Sequence, residues 1–124
     1  MLQRYKKDLE YAHQYDVEYV VFHVSEATIE ESFTWKYHYT DEEVVDAAAE
    51  VINEIFSEED GKIMVLLENL WQPGLNLTRP EITKRLLDKI TYANIGIMLD
   101  TGHLLHTNTG LKTQEEGIAY IHQI

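Results

Sequence analysis

Three short runs of apolar residues alternate along the chain with longer amphipathic stretches. The runs are nearly continuous in apolar residues, as expected of parallel strands that are covered on both faces by other elements. They predict β-strands near residues 17–24, 62–69 and 95–100. Because a helical stretch follows each run, we expect the strands to be parallel, in that spatial order, and joined by right-handed crossovers.

Four stretches with apolar residues at helical spacing lie before, between and after the predicted strands. The first spans residues 2–14, and each of the other three opens with a threonine that has glutamate three residues later. These threonines are Thr40, Thr78 and Thr113, and each predicts a capping box at the start of its helix. The predicted fold is therefore α/β, one helix followed by three β-α units, in a single domain of residues 1–124.

The loops that lead from strand to helix are much longer than those that lead from helix to strand. They run from Ser25 to Tyr39, from Leu70 to Leu77 and from Leu104 to Lys112. Long loops at the carboxyl ends of parallel strands are where α/β proteins build ligand sites. Trp35 and Trp71 lie in the first two loops, where each indole ring either stacks on a bound sugar or covers the apolar core.

Metal-binding residue types stand at the carboxyl end of each predicted strand. His23 ends the first strand, Glu68 ends the second, and Asp100 ends the third, with His103 three residues further on. Because the carboxyl ends of parallel strands gather at one rim, we expect these four side chains to converge. Imidazole and carboxylate groups together suit Zn²⁺, Mn²⁺ or Mg²⁺.

Composition narrows the class of ligand and the cellular setting. The 124 residues have a net charge of −12 and no cysteine, so disulfides and thiolate metal sites are excluded. An acidic chain repels phosphate backbones, which argues against nucleic acid as a ligand. The apolar runs are too short to span a bilayer, and the N-terminus lacks the apolar core of a signal peptide. We therefore expect a cytoplasmic protein with no membrane partner.

Two motifs resemble a known superfamily. Residues 67–70, Leu-Glu-Asn-Leu, and residues 97–103, Ile-Met-Leu-Asp-Thr-Gly-His, are similar to those of the xylose isomerase-like TIM barrels. That superfamily includes sugar isomerases, sugar 3-epimerases and endonuclease IV. Because such barrels have roughly 250 residues, the resemblance implies that residues 1–124 are the central segment of a partial barrel. The family also uses a later histidine and a later acid, so the resemblance implies no activity for the chain alone.

The resemblance also implies a role for each matching residue. Glu68 matches the glutamate that binds the metal and moves a proton, and Asp100 matches a second metal ligand. His103 matches a residue that contacts substrate in the epimerases and binds metal in endonuclease IV, and His23 matches a ligand of the endonucleases. Asn69, in the Glu-Asn motif, is assigned to substrate binding together with His103 and the two tryptophans. The implied cofactor is a divalent metal, Mn, Zn, Mg or Co.

Three functions follow from these observations. The first is a fragment of a metal-dependent sugar or sugar-phosphate isomerase or epimerase, in which a metal polarises a carbonyl and Glu68 moves the neighbouring proton. The second is an endonuclease-IV-like phosphodiesterase fragment, which the acidic charge disfavours. The third is a non-catalytic half-barrel that assembles with itself. A three-strand sheet would expose two edges and the apolar side chains around Val21, Leu66 and Met98, so we expect a homo-oligomer.

Overall fold

The computed structural model describes residues 2–25 and 29–124, which form helices and strands in alternation. In chain order the elements are α1 (Leu2–Gln14), β1 (Tyr19–His23), α2 (Ile29–Thr34), α3 (Asp41–Ile55), β2 (Met64–Glu68), α4 (Pro80–Lys89), β3 (Ile95–Met98), α5 (Thr101–His106) and α6 (Gln114–Ile121). No helix in these two ranges has the length and apolar character needed to cross a membrane.

The three strands form one parallel sheet in the order β1-β2-β3, which confirms the predicted α/β class and strand order. The strands are shorter than the apolar runs predicted. β1 begins at Tyr19, and β3 ends at Met98. Asp100 therefore lies two residues beyond the end of β3, where its side chain caps α5.

The sheet has one covered face and one open face. Side chains alternate between faces along a strand, and Val65 and Leu67 on the covered face are fully buried under α3 and α4 with Ile52 and Leu86. On the open face of the sheet, Tyr19, Val21 and Met64 are exposed. The exposure of Val21 agrees with the expectation that apolar side chains around it would be left uncovered. The helices that contribute residues to the covered core are α1, α3 and α4.

Two of the three predicted threonines cap their helices, and the one at Thr40 completes the predicted capping box. Thr40 Oγ1 accepts from the N–H of Glu43 at 3.2 Å, and the N–H of Thr40 donates to Glu43 Oε1 at 3.4 Å. Thr113 accepts from the N–H of Glu116 at 3.2 Å, but Glu116 Oε2 accepts from the N–H of Lys112, at 2.7 Å, in place of the N–H of Thr113. These helix starts depend on residues close in sequence, which is why the sequence alone located them.

The capping box predicted at Thr78 was wrong. The N-cap of α4 is Arg79, which makes no side-chain cap bond, and Pro80 occupies the first helical position. Thr78 lies one residue outside the helix, and both its N–H and its hydroxyl donate to Asn76 Oδ1, at 3.1 and 2.7 Å. Pro80 has no N–H group. The helix therefore begins with one fewer free backbone donor, although it has no side-chain cap.

Two of the long loops contain a short helix that the sequence analysis did not predict. α2 lies within the loop expected from Ser25 to Tyr39, of which residues 26–28 lie outside the described part. α5 begins directly after Asp100 and includes the first residues of the loop expected from Leu104 to Lys112. Each helix has only six residues, too few for an apolar stripe to be recognised by its periodicity.

Gly74, in the loop after β2, pairs with Ser25 just beyond the end of β1. A Cβ at Gly74 would lie 2.3 Å from the carbonyl oxygen of Val24, and its φ is 131°. We expect Gly74→Ala to lower the free energy of unfolding by more than about 2 kcal/mol, since backbone strain and a clash with main chain add together. Urea unfolding measures the loss.

Gly61→Ala is the matched control for this clash. Gly61 also has a positive φ, 86°, but a Cβ there meets nothing within 4 Å. The free energy of unfolding of Gly61→Ala should therefore fall only by the cost of a left-handed backbone at alanine, about 1–2 kcal/mol. Equal losses in the two variants would contradict the close approach of Gly74 to Val24.

Candidate metal centre

Three side chains that suit a metal meet at the carboxyl end of the sheet. Glu68 is the last residue of β2, Asp100 is the N-cap of α5, and His103 stands in the first turn of α5. One ligand atom from each lies within 4.8 Å of the others. The parallel sheet therefore brings Glu68 next to two residues that follow it by more than thirty positions in the sequence.

Glu68 lies at the centre of this cluster. Its Oε1 is 3.4 Å from Nδ1 of His103, and its Oε2 is 3.0 Å from Nε2 of His23. The His23 ring is largely exposed, whereas the Glu68 side chain is mostly buried. His23, at the end of β1, thus joins the cluster through its contact with Glu68.

Asp100 is held as a carboxylate by the helix that follows it. Its Oδ1 accepts from the N–H of His103 at 2.8 Å, and its Oδ2 is 3.6 Å from Nδ1 of the same residue. The hydrogen bond from the His103 backbone N–H keeps the pKa of Asp100 below its usual value, although burial of the carboxylate partly opposes this effect. Asp100 is therefore ionised at neutral pH and can act as a metal ligand.

The orientation of His103 determines which nitrogen remains available as a ligand. Its Nδ1 is 2.8 Å from the carbonyl oxygen of Asn69. A carbonyl oxygen only accepts, so in this arrangement Nδ1 carries the proton and donates it. Nε2 then keeps a free lone pair, as a neutral imidazole needs in order to bind a metal. Nδ1 is the nitrogen that lies 3.4 Å from Glu68 and 3.6 Å from Asp100, so a metal held by all three residues requires the His103 ring to turn or Nδ1 to give up its proton.

The other predicted site residues divide into near and distant groups. The Trp71 ring lies 5.3 Å from the His103 ring and 5.2 Å from the His106 ring, centre to centre, so Trp71 borders the cluster. Trp35 is exposed and packs edge-on against Tyr37 at 6.4 Å. Trp71 is therefore next to His103, whereas the ring contact of Trp35 is with Tyr37, a residue of the same loop.

Asn69 and His106 differ most from what the sequence indicated. Asn69, predicted to contact substrate, is fully buried, and its amide hydrogen-bonds the backbone of Asp100. Nothing in this geometry supports a substrate contact by its side chain. His106 lies in the segment that was expected to be a loop, from Leu104 to Lys112, but it ends α5 and stands beside Trp71. Its position three residues after His103 was the signal that both rings would lie on one side of a helix.

The donor set fits a divalent cation. Two carboxylates and one imidazole provide oxygen and nitrogen ligands, and the chain has no cysteine to offer sulfur. This combination suits Mn²⁺, Mg²⁺, Zn²⁺ or Co²⁺. Three protein ligands leave several coordination positions for water or substrate oxygens, as a catalytic site requires.

Comparisons with known proteins agree with this arrangement. No curated protein and no solved structure gave a significant match to the chain. A family model described as xylose isomerase-like TIM barrel matches residues 1–124. Since the match extends over the whole sequence and includes both the parallel strands and the cluster at their ends, the chain belongs to the xylose isomerase-like TIM barrel family.

Proposed function

We propose that the chain supplies a divalent metal centre for the isomerisation or epimerisation of a sugar or sugar phosphate. The observation that carries the proposal is the cluster of Glu68, Asp100 and His103 at the carboxyl end of the sheet. We propose that residues 1–124 act as one domain of a cytoplasmic protein of this family. The ion is Mn²⁺, Mg²⁺, Zn²⁺ or Co²⁺.

Glu68 is the residue that we assign to proton transfer. When bound, the ion polarises the carbonyl next to the C–H bond that breaks. Glu68 accepts the proton from that carbon and returns it to the neighbouring carbon in an isomerisation. His23, 3.0 Å from Oε2, orients the carboxylate, and Trp71 offers a ring beside which a sugar can bind. Epimerisation needs a second proton donor on the opposite side of the sugar.

A phosphodiesterase of the endonuclease IV type is the second candidate. The contact of His23 with Glu68 favours it, because it adds a second imidazole to the centre. The net charge of −12 opposes it, since proteins grip phosphate backbones with Lys and Arg. We therefore expect no measurable binding of duplex DNA at 0.15 M ionic strength, whereas salt-dependent binding would favour the nuclease.

Mn²⁺ binding to the isolated chain tests the proposed function. With three close ligands, we expect a weak dissociation constant, on the order of 0.1–1 mM, as in weak extracellular calcium modules. Asp100→Asn should weaken binding by more than about tenfold, since an amide is a poorer ligand than a carboxylate while still capping α5. Electron paramagnetic resonance of free Mn²⁺ measures both values.

Asp46→Asn is the control for the loss of one negative charge. The Asp46 and Asp100 side chains are similarly exposed, at 29% and 37%, but Asp46 pairs with Arg85 and Lys89 on the covered side of the sheet. This variant should keep the wild-type affinity. Absence of Mn²⁺ binding in the wild type, or equal affinity in all three proteins, would refute the metal centre.

We further propose that two copies of the chain associate through the open face of the sheet. Tyr19, Val21 and Met64 form an exposed apolar strip there, and within the described sheet β1 and β3 are edge strands. A second copy presents the same strip, so a symmetric dimer would cover both. Light scattering at micromolar concentration should give the dimer mass for wild type and the monomer mass for Val21→Lys. A wild-type chain that is still monomeric at about 100 μM would refute the dimer, because association increases with protein concentration.

A further inference from the structure

The Asn69 side chain joins the ends of β2 and β3 where the ladder of backbone hydrogen bonds stops. The ladder pairs Glu68 with Met98 and goes no further. Beyond it, Asn69 Oδ1 accepts from the N–H of Asp100 at 2.8 Å, and Asn69 Nδ2 donates to the carbonyl oxygen of Asp100 at 3.1 Å. One amide thus replaces the two backbone groups that another strand residue would have supplied.

The backbone of Asn69 holds a second ligand of the candidate centre. Its carbonyl oxygen accepts from Nδ1 of His103 at 2.8 Å. The residue therefore contacts the main chain of Asp100 and the ring of His103, and it directly follows Glu68 in the chain. All three residues of the cluster are connected through this one buried position.

We propose that Asn69 is a positioning residue that sets the distance between Glu68 on one strand and the Asp100–His103 pair on the next. The inference rests on the proposed metal centre for its effect on binding. Asparagine suits the position because it offers a donor and an acceptor on one short side chain. Leucine has a similar shape but offers neither, so the N–H of Asp100 would lose its partner.

A matched clamp elsewhere in the chain separates positioning from general stability. Asn53 on α3 makes the same pair of bonds: Nδ2 donates to the carbonyl oxygen of Lys89 at 2.9 Å, and Oδ1 accepts from the N–H of Thr91 at 2.8 Å. These bonds tie α3 to the connection that enters β3, at the opposite end of the sheet from the cluster. Asn53 is partly buried whereas Asn69 is fully buried, but Asn53→Leu removes the same two kinds of bond and no contact with the cluster.

The first measurement compares Mn²⁺ affinity in wild type, Asn69→Leu and Asn53→Leu at temperatures where all three are folded. We expect Asn69→Leu to weaken binding by about 10–100-fold, as loss of supporting contacts around metal ligands does. Asn53→Leu should stay within about twofold of wild type, since an intact cluster binds as before. Equal affinities in the two variants would overturn the positioning role. If Asn69→Leu does not fold, the milder pair Asn69→Ser and Asn53→Ser gives the same comparison.

The second measurement is amide hydrogen exchange without metal, which tests the clamp even if the wild type does not bind Mn²⁺. The N–H groups of Asp100 and His103 should exchange at least about tenfold faster in Asn69→Leu than in Asn53→Leu, because their local order depends on the clamp. Unchanged exchange in Asn69→Leu overturns the inference. A wild type that fails to bind Mn²⁺ but shows this difference refutes the metal centre and retains the positioning role of Asn69.

Discussion

Glu68→Gln should reduce Mn²⁺ binding more than any other single change in the chain, to below the measurable range. Glu68 contacts both His103 and His23, so it connects the two sides of the cluster. The substitution keeps the size of the side chain and removes the negative charge that a divalent cation requires in a site with so few ligands. Paramagnetic resonance at millimolar Mn²⁺ and a thermal melt of the same sample measure binding and folding together.

Glu59→Gln is the control for this substitution. Glu59 also pairs with a histidine, His13, at 2.7 Å, and its side chain is 15% exposed compared with 12% for Glu68. The Glu59–His13 pair lies at the amino-terminal end of the strands, away from the cluster. Glu59→Gln should keep wild-type affinity. Wild-type affinity in Glu68→Gln would contradict its metal-binding role.

Leu67→Ala should cause the largest loss of stability, about 2–5 kcal/mol in the free energy of unfolding. Leu67 is fully buried in the core between β2 and the helices, so the truncation leaves a cavity that packed neighbours cannot fill. The total free energy of unfolding of a native protein is roughly 5–15 kcal/mol, so this one change removes a large share of it. Urea unfolding followed by circular dichroism gives the value.

Leu66→Ala is the neighbouring control on the open face of the sheet. Leu66 is only partly buried, and its Cδ2 lies 3.1 Å from where a Cβ of Gly96 would be. In the monomer we expect a loss of less than about 1.5 kcal/mol, because water already reaches this side chain. Equal losses from Leu66→Ala and Leu67→Ala at low protein concentration would show that the open face is covered in solution.

The sequence alone was enough to predict the class of fold, the order of the strands and the start of two helices. Apolar runs of strand length and threonine–glutamate pairs are local signals, and their physical causes lie within a few residues. It also determined that His23, Glu68, Asp100 and His103 would share one rim. Parallel strands impose that result on any residues at their carboxyl ends.

Only the folded arrangement of the chain shows which predicted residues touch each other and which face of the sheet is covered. The motif predicted that Asn69 contacts substrate, but its side chain is buried and hydrogen-bonds the backbone of Asp100, thirty-one residues away. From the sequence, Trp35 and Trp71 had the same two possible roles. In the structure only the Trp71 ring lies beside His103, whereas the Trp35 ring contacts Tyr37. These outcomes depend on contacts between distant segments, whose geometry is set by packing and not by local residue preference.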